Sequence, residues 1–397
     1  MRKFLTAPVK MRLSDSENII YQQVLKHVTD ISLNLMAVKV EERPDDFTSW
    51  CRELHRLCAD KLNYDLLDPE QLPVVKKLQT TLEKGVSGNQ LKMLRITPWP
   101  MFSGFIEDQK EVISLNERLR LLNFFESLKE TPLQELSNLD RLAFIGKHTS
   151  DHAPSTYDFD AEFFVSTKTS RVFQQQVEQR ASEFADALAH IPLTGDVTLK
   201  DYQAFVSAYK AIFALDVDRQ PSTEKAPLIP ATRLLAMRRP DQFVAMSATK
   251  FDVLCSAFGC TRIGNYDFDG YWNEVIATMR TCPWWMSPEP EDANEQQLWK
   301  YRAALVEVFH FADQYSPQSS NYLRLKERIA NGSKATGQRS NVARKLTKES
   351  AEQIVDHRLQ DEELPEFIKN KRDALVESVK NGKSVDEAIK LYQAIFG

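Results

Sequence analysis

The sequence predicts a mainly α, multi-helical protein of two or three helical subdomains with few or no strands, and three observations predict it. Apolar residues recur at three- and four-residue spacing through most of the 397 residues, as at Ile20, Val24, Val28, Ile31 and Leu35. Glycine is scarce, at 12 residues, and neither G-x-G-x-x-G nor G-x-x-x-x-G-K-[ST] is present, which speaks against dinucleotide-binding and P-loop folds. No segment sustains the apolar–polar alternation of a half-buried strand.

Taken in order, the first helix starts behind Ser14, an N-cap ahead of Glu17. Glu41 to Asp46 breaks it, and a second helix over 47–62 carries Trp50, Leu54 and Leu57 on one face. A third is expected over 74–85 and ended by Gly85 and Gly88. The segment from Ile96 to Phe105 contains Pro98 and Pro100 and reads as a packed apolar loop, since each proline removes a donor and restricts its predecessor. Helices resume over 108–129 and 132–145. The polar run His148 to Asp160 marks a boundary, with a long amphipathic helix expected over 160–190 and another over 199–215. Beyond the linker Arg219 to Ala226, helices are expected over 230–238, 248–258 and 268–281. An acidic linker from Met286 then leads to helices over 294–313 and 320–330. The stretch Asn331 to Ser340 reads as a flexible hinge before helices over 341–360, 365–380 and 384–395. The division expected is an N-terminal helical domain at 1–147, a middle segment at 148–220, a central aromatic-rich domain at 221–330, and a basic hinge with a helical tail at 331–397.

The hydrophobic fraction of 42% and charged fraction of 27% are those of a folded globular protein. A net charge of −5 excludes a uniformly basic chain but leaves room for a local basic patch. Five cysteines are too few and too irregular for a disulfide scaffold and favour a reducing, cytoplasmic setting. MRKFLTAPVKMRL lacks the apolar core of a signal peptide, and no run is long enough to span a membrane, so no membrane partner is expected.

Chemistry-bearing groupings are sparse. Cys51, His55 and Cys58 share a helical face but lack a fourth ligand and the usual knuckle spacing, so buried packing is expected, as it is for Cys255, Cys260 and Cys282. His148, Asp151 and His152 are the best candidates for a metal-dependent hydrolase, set against a polar loop whose Asp158, Asp160 and Glu162 cap the helix expected near 160. G-x-S-x-G and H-E-x-x-H motifs are absent, and no catalytic residue, metal ligand or cofactor is assigned.

Positive charge is better organised. Between Tyr322 and Lys348 lie Arg324, Lys326, Arg328, Lys334, Arg339, Arg344, Lys345 and Lys348, against the single acid Glu327. Such a footprint in a net acidic chain suits contacts to phosphates. Arg238, Arg239 and Lys250 stand near Phe243, Phe251, Trp272, Trp284 and Trp285, and arginine beside aromatic faces can track a strand. The pattern Leu234-Leu235 followed by Pro240-Asp241-Gln242-Phe243, with Ser247 and Lys250 ahead of an apolar helix, resembles helical segments that accompany McrB-like restriction and other prokaryotic defence proteins. It covers about thirty residues without motor or nuclease motifs, and implies a nucleic-acid context but no catalytic residue. The expected function is a nucleic-acid-binding accessory or defence-associated protein, with DNA rather than RNA as ligand and weak sequence preference. The alternative is a helical adaptor or inhibitor that docks an acidic protein partner.

Overall fold

A computed structural model describes residues 12–31, 44–62, 71–153, 162–214, 225–312 and 371–380, with the single positions 4, 156, 355, 359 and 389. Every regular element among them is helical and none is a strand. The chain separates into two units, 1–330 and 331–397. In the second, the helix Arg372–Lys380 buries Leu375 and Val376.

The first unit begins with α1 (Asp15–Asp30), where the Glu17 carboxylate accepts the Ser14 N–H at 2.8 Å, and α2 (Phe47–Asp60), capped by Asp46 on Ser49 N at 2.8 Å. Both pack on α3 (Leu72–Ile96), a helix of 25 residues. Here the expected end at Gly85 and Gly88 is corrected. Glycine in a helix costs about 1 kcal/mol relative to alanine, but tertiary packing overrides it. A Cβ at Gly85 would lie 3.1 Å from Cys51 Sγ and 3.4 Å from both Ile20 and Phe47, so glycine lets α1 and α2 approach. The N-terminal half of α3 closes a small core with Trp50, Leu54 and Val24, while Leu91 and Leu94 enter the main one.

The apolar segment at 96–105 is likewise helical from its fourth residue onwards, as α4 (Trp99–Asp108). Pro98 caps it and Pro100 sits in its first turn, where the missing N–H has no intrahelical partner to lose. Then follow α5 (Leu115–Leu128) and the short α6 (Asn138–Phe144). The single helix expected over 160–190 is instead non-helical chain followed by α7 (Arg171–Gln179) and α8 (Ala181–Ala189), which meet at a non-helical Arg180. The chain continues through α9 (Leu199–Phe213), α10 (Leu228–Arg238) and α11 (Ala248–Phe258). α12 runs over 268–280, with Tyr271–Ile276 in π-helical geometry. α13 (Pro283–Met286), α14 (Ala293–Lys300) and a 3-10 turn at Ala304–Phe309 complete the unit. The main core draws on residues from Leu91 to Phe309 and so spans both 147/148 and 220/221. Helix α10 lies at its centre and is buried on nearly all sides, as an enclosed apolar helix must be.

Two buried ions organise this interior. Arg233, fully buried on α10, donates to the carbonyls of Ala143 (2.9 Å), Phe144 (3.0 Å) and Phe164 (3.1 Å), and to that of Phe163. Glu307 accepts from Arg118 at 2.6 Å, Lys250 at 2.7 Å and Phe164 N at 3.1 Å. Between them, Phe164 (φ 58°) and Val165 (φ 80°) are held in the left-handed region that side chains seldom occupy. Gly146 (φ 79°) lies against this strained bend, and a Cβ there would come within 2.5 Å of the Val165 carbonyl.

Arg233→Met is expected to lower stability by at least about 3 kcal/mol, because several buried carbonyls lose their donor at once. Denaturant unfolding measures this. Burial would raise the Glu307 carboxyl, but Lys250 and Arg118 outweigh it and hold the group well below the usual carboxylate range. Burial, then Lys250, pushes His310 down from 6.5 to about 3. In both cases the unfolded chain takes up the proton first as pH falls, so stability is full above about pH 6.5 and declines below it. Between about pH 6.5 and the carboxylate range, the decline belongs to His310. His310→Leu should therefore flatten the stability profile in that window, and an unchanged slope would refute the assignment.

Candidate functional site

The His148 cluster holds the chain together locally. His148 Nδ1 donates to Glu162 Oε1 at 2.7 Å, and the same carboxylate accepts the His148 backbone N–H. Burial opposes ionisation of Glu162, but His148 and Arg233 reverse the balance and keep its carboxyl low. His152 takes other partners: Nε2 donates to the Leu139 carbonyl at 2.8 Å, and Nδ1 accepts from Thr149 N at 2.9 Å. Asp151 is exposed. Asp158 and Asp160 lie outside the described residues, and the helix they were expected to cap begins instead at Arg171. Among the described residues no group of three or more His, Cys, Asp or Glu is arranged to hold a metal. All five cysteines are free thiols. Burial raises Cys58 and Cys282 to about 12 and Cys255 to about 11, so these stay protonated near neutral pH and pack as small apolar groups.

The basic window Arg324, Lys326, Arg328, Lys334, Arg339, Arg344, Lys345 and Lys348 lies outside the described residues. The three remaining basic candidates separate. Lys250 is committed to Glu307, whereas Arg238 and Arg239 line a cleft of about 660 Å³ at the end of α10. Lys129, Lys300 and Arg302 line it as well, and five cations thus face three carboxylates, Glu126, Asp241 and Glu289.

Their partners differ in kind. Lys129 and Lys300 share Glu126 Oε1, at 2.6 and 2.9 Å. Arg239 makes a bidentate pair with Asp241, both bonds 2.7 Å, and donates to the Pro192 carbonyl at 2.6 Å and to that of Gly195. This pair closes the turn that the Pro240-Asp241 motif starts, and it leaves Arg239 little capacity for a ligand.

Arg238 and Arg302, and Arg280 on α12, form no ion pair with any described carboxylate. Arg238 Nη1 donates to the Lys129 carbonyl at 2.7 Å, Arg302 Nη1 to the Trp299 carbonyl at 2.9 Å, and Arg280 Nη2 to Gln242 Oε1 at 2.8 Å. The Nε of each is buried without a hydrogen-bond partner among the described residues. Burial lowers all three and the Arg239 guanidinium lowers them further, while Asp196 and Asp241 oppose the shift at Arg280, and Asp241, Asp196 and Glu289 oppose it at Arg302.

Arg280 and Arg302 interleave with tryptophans. Arg280 lies 4.9 Å from the ring centre of Trp272 and 5.9 Å from that of Trp285, and Arg302 lies 4.8 Å from Trp285 and 4.3 Å from Trp299. Ring faces add to the attraction these guanidiniums receive from more distant carboxylates. Trp272, Trp285 and Trp299 therefore act as internal supports for Arg280 and Arg302.

Lys129, Arg280, Lys300 and Arg302 do not stand out in the sequence. They come from α5's C-terminal end, α12, α14 and the turn after it, and none belongs to a run of positive charge. The usable signal was the Trp-Lys-Tyr-Arg stretch at 299–302, in which bases alternate with aromatics.

The two adjacent arginines are expected to respond oppositely to the same change. Arg239→Met breaks a bidentate pair and should cost about 2 kcal/mol or more. Arg238→Met removes a partly desolvated charge that no carboxylate compensates, and should stay within about 1 kcal/mol of the parent or stabilise it. Thermal unfolding of both variants decides this, and a large loss for Arg238→Met would make it a structural residue. Comparison of the chain with protein-family models, curated proteins and solved structures finds no match, so these side chains are what a functional reading rests on.

Proposed function

We propose that the protein is a nucleic-acid-binding accessory component whose cleft holds the phosphate backbone. The observation that carries this is the set of guanidiniums at and behind the cleft, those of Arg238, Arg280 and Arg302, that no described carboxylate contacts directly and whose Nε atoms stay buried and unpaired. A phosphodiester supplies the missing charge and accepts the planar donors of arginine directly. The eight bases between Arg324 and Lys348 extend the positive charge along the chain and add affinity that falls with salt. Backbone contacts of this kind carry no base identity, so sequence preference is weak. DNA is the expected ligand, and a defence setting rests on the segment from Leu234 to Lys250 and its resemblance to McrB-associated helices. The same cations would also suit an acidic protein segment, which makes an adaptor the competing outcome.

Binding of labelled single- and double-stranded DNA and RNA at about 50 and 200 mM salt tests the reading. Affinity should fall steeply with salt. An Arg238→Met/Arg302→Met double variant should weaken binding across sequences and reduce the salt slope by about one for each phosphate it no longer holds. Arg339→Ala/Arg344→Ala/Lys345→Ala should act in the same direction. Absence of binding at the lower salt, together with a stoichiometric acidic protein partner on purification, would replace this reading with the adaptor.

A further inference from the structure

The polar cleft has an apolar neighbour that backbone binding leaves unused. A second cavity of about 200 Å³ lies against α5, α8, the end of α10 and the turn that follows α5. Leu133, Phe144, Leu188 and Met237 form its apolar wall. Lys129 and Arg238 line both cavities, and the 2.7 Å bond from Arg238 to the Lys129 carbonyl joins the two residues they share. Together the cavities have the size of a small-molecule site, which runs to about 300–1,000 Å³. They also have its composition, an apolar wall with a few polar groups to fix orientation, here Thr131, Gln134 and Asp186.

The charge at the junction narrows the ligand. Arg238 is half-buried, has no carboxylate partner among the described residues, and keeps its Nε buried and unpaired. An anionic group would offset that charge, and a compact apolar body attached to it could reach the cavity beyond. Simple anions fill only the first requirement, and apolar molecules only the second. A nucleotide meets both, with a phosphate a few bonds from a flat base whose edge takes hydrogen bonds.

We propose that the two cavities together hold one nucleotide unit of a bound single strand, with its phosphate at Arg238 and its base in the apolar cavity. This rests on the nucleic-acid reading above and deepens it, because the strand is then held by an enclosed nucleotide as well as by its backbone. Taking a base out of the stack is least costly in single-stranded or damaged nucleic acid. Single strands are therefore the preferred form.

Calorimetric titration of the full chain with the four deoxynucleoside 5′-monophosphates, inorganic phosphate and butyl phosphate tests this. At least one nucleotide should bind about tenfold more tightly than inorganic phosphate, the order expected for one enclosed base. Arg238→Met should weaken both. Ala185→Phe, which places a ring at the wall of the apolar cavity, should reduce the nucleotide to the level of phosphate. Gln134→Trp at the exposed rim does the same without touching the core, in case Ala185→Phe disturbs folding. The proposal is overturned if nucleotides bind no better than phosphate, if butyl phosphate matches them, or if both cavity variants leave the preference unchanged. A labelled single-stranded oligonucleotide titrated in parallel separates the two levels. Oligonucleotide binding without a mononucleotide preference removes the enclosed base and leaves strand binding standing, whereas failure of both removes both.

Discussion

Arg233 is the constraint on which the rest of the first unit depends. It sits on the most enclosed helix, α10, and reaches the carbonyls at the end of α6 and those of the bend at Phe163 and Phe164. A charge so deeply placed is tolerated because carbonyl dipoles surround it. Those carbonyls in turn belong to a helix end and a bend, where among the described residues only the Ala143 carbonyl has a further backbone donor, the Gly146 N–H at 3.1 Å. Glu307 completes the arrangement from the other side by taking Phe164 N together with Arg118 and Lys250. Removing either ion would leave both polar backbone and unusual φ angles without support.

From this frame follows the placement of the cleft. The same α10 that buries Arg233 ends at Arg238, and the Arg239–Asp241 pair fixes the turn beyond it. The Ala304 N–H donates to the Pro240 carbonyl at 2.9 Å, which ties the 3-10 turn carrying Glu307 to that motif. A rigid interior thus presents one cation with its hydrogen bonds filled, Arg239, beside one whose charge stays unneutralised, Arg238. The contrast separates an arginine saturated by the fold from one that is not, and exposure alone does not show it. Arg280 and Arg302 extend the excess charge inwards, supported by the faces of Trp272, Trp285 and Trp299. Partly desolvated guanidiniums of this kind reduce stability unless a ligand offsets it, which is how binding sites commonly depart from optimal packing.

Helical class and the individual helices α1, α2, α9, α10, α11 and α12 were legible in the sequence, because each carries apolar residues at helical spacing and a local stop or cap. Ser14, Asp46, Thr198 and Ser247 stand at N-caps, and caps act within one turn. Where local signals conflicted with long-range packing, packing won. Gly85 reads as a helix end but is a contact point for Cys51 and Phe47, and Pro98 and Pro100 read as breakers but start α4. The reverse happened at 162–170, where an amphipathic pattern gave way to non-helical chain because Arg233 and Glu307 hold that backbone from 69 and 143 positions away.

The candidate site divides in the same manner. Composition and neighbours within a few positions were enough for the helical class, for the packing role of the cysteines, and for the adjacency of Arg238 and Arg239. Tertiary contacts alone made Arg239 saturated and left Arg238 otherwise, committed Lys250 to Glu307, and brought Lys129, Lys300 and Arg302 to one cleft. Whether a charge is neutralised depends on carboxylates and carbonyls carried from distant segments to within about 3 Å, a distance that no periodicity along the chain encodes.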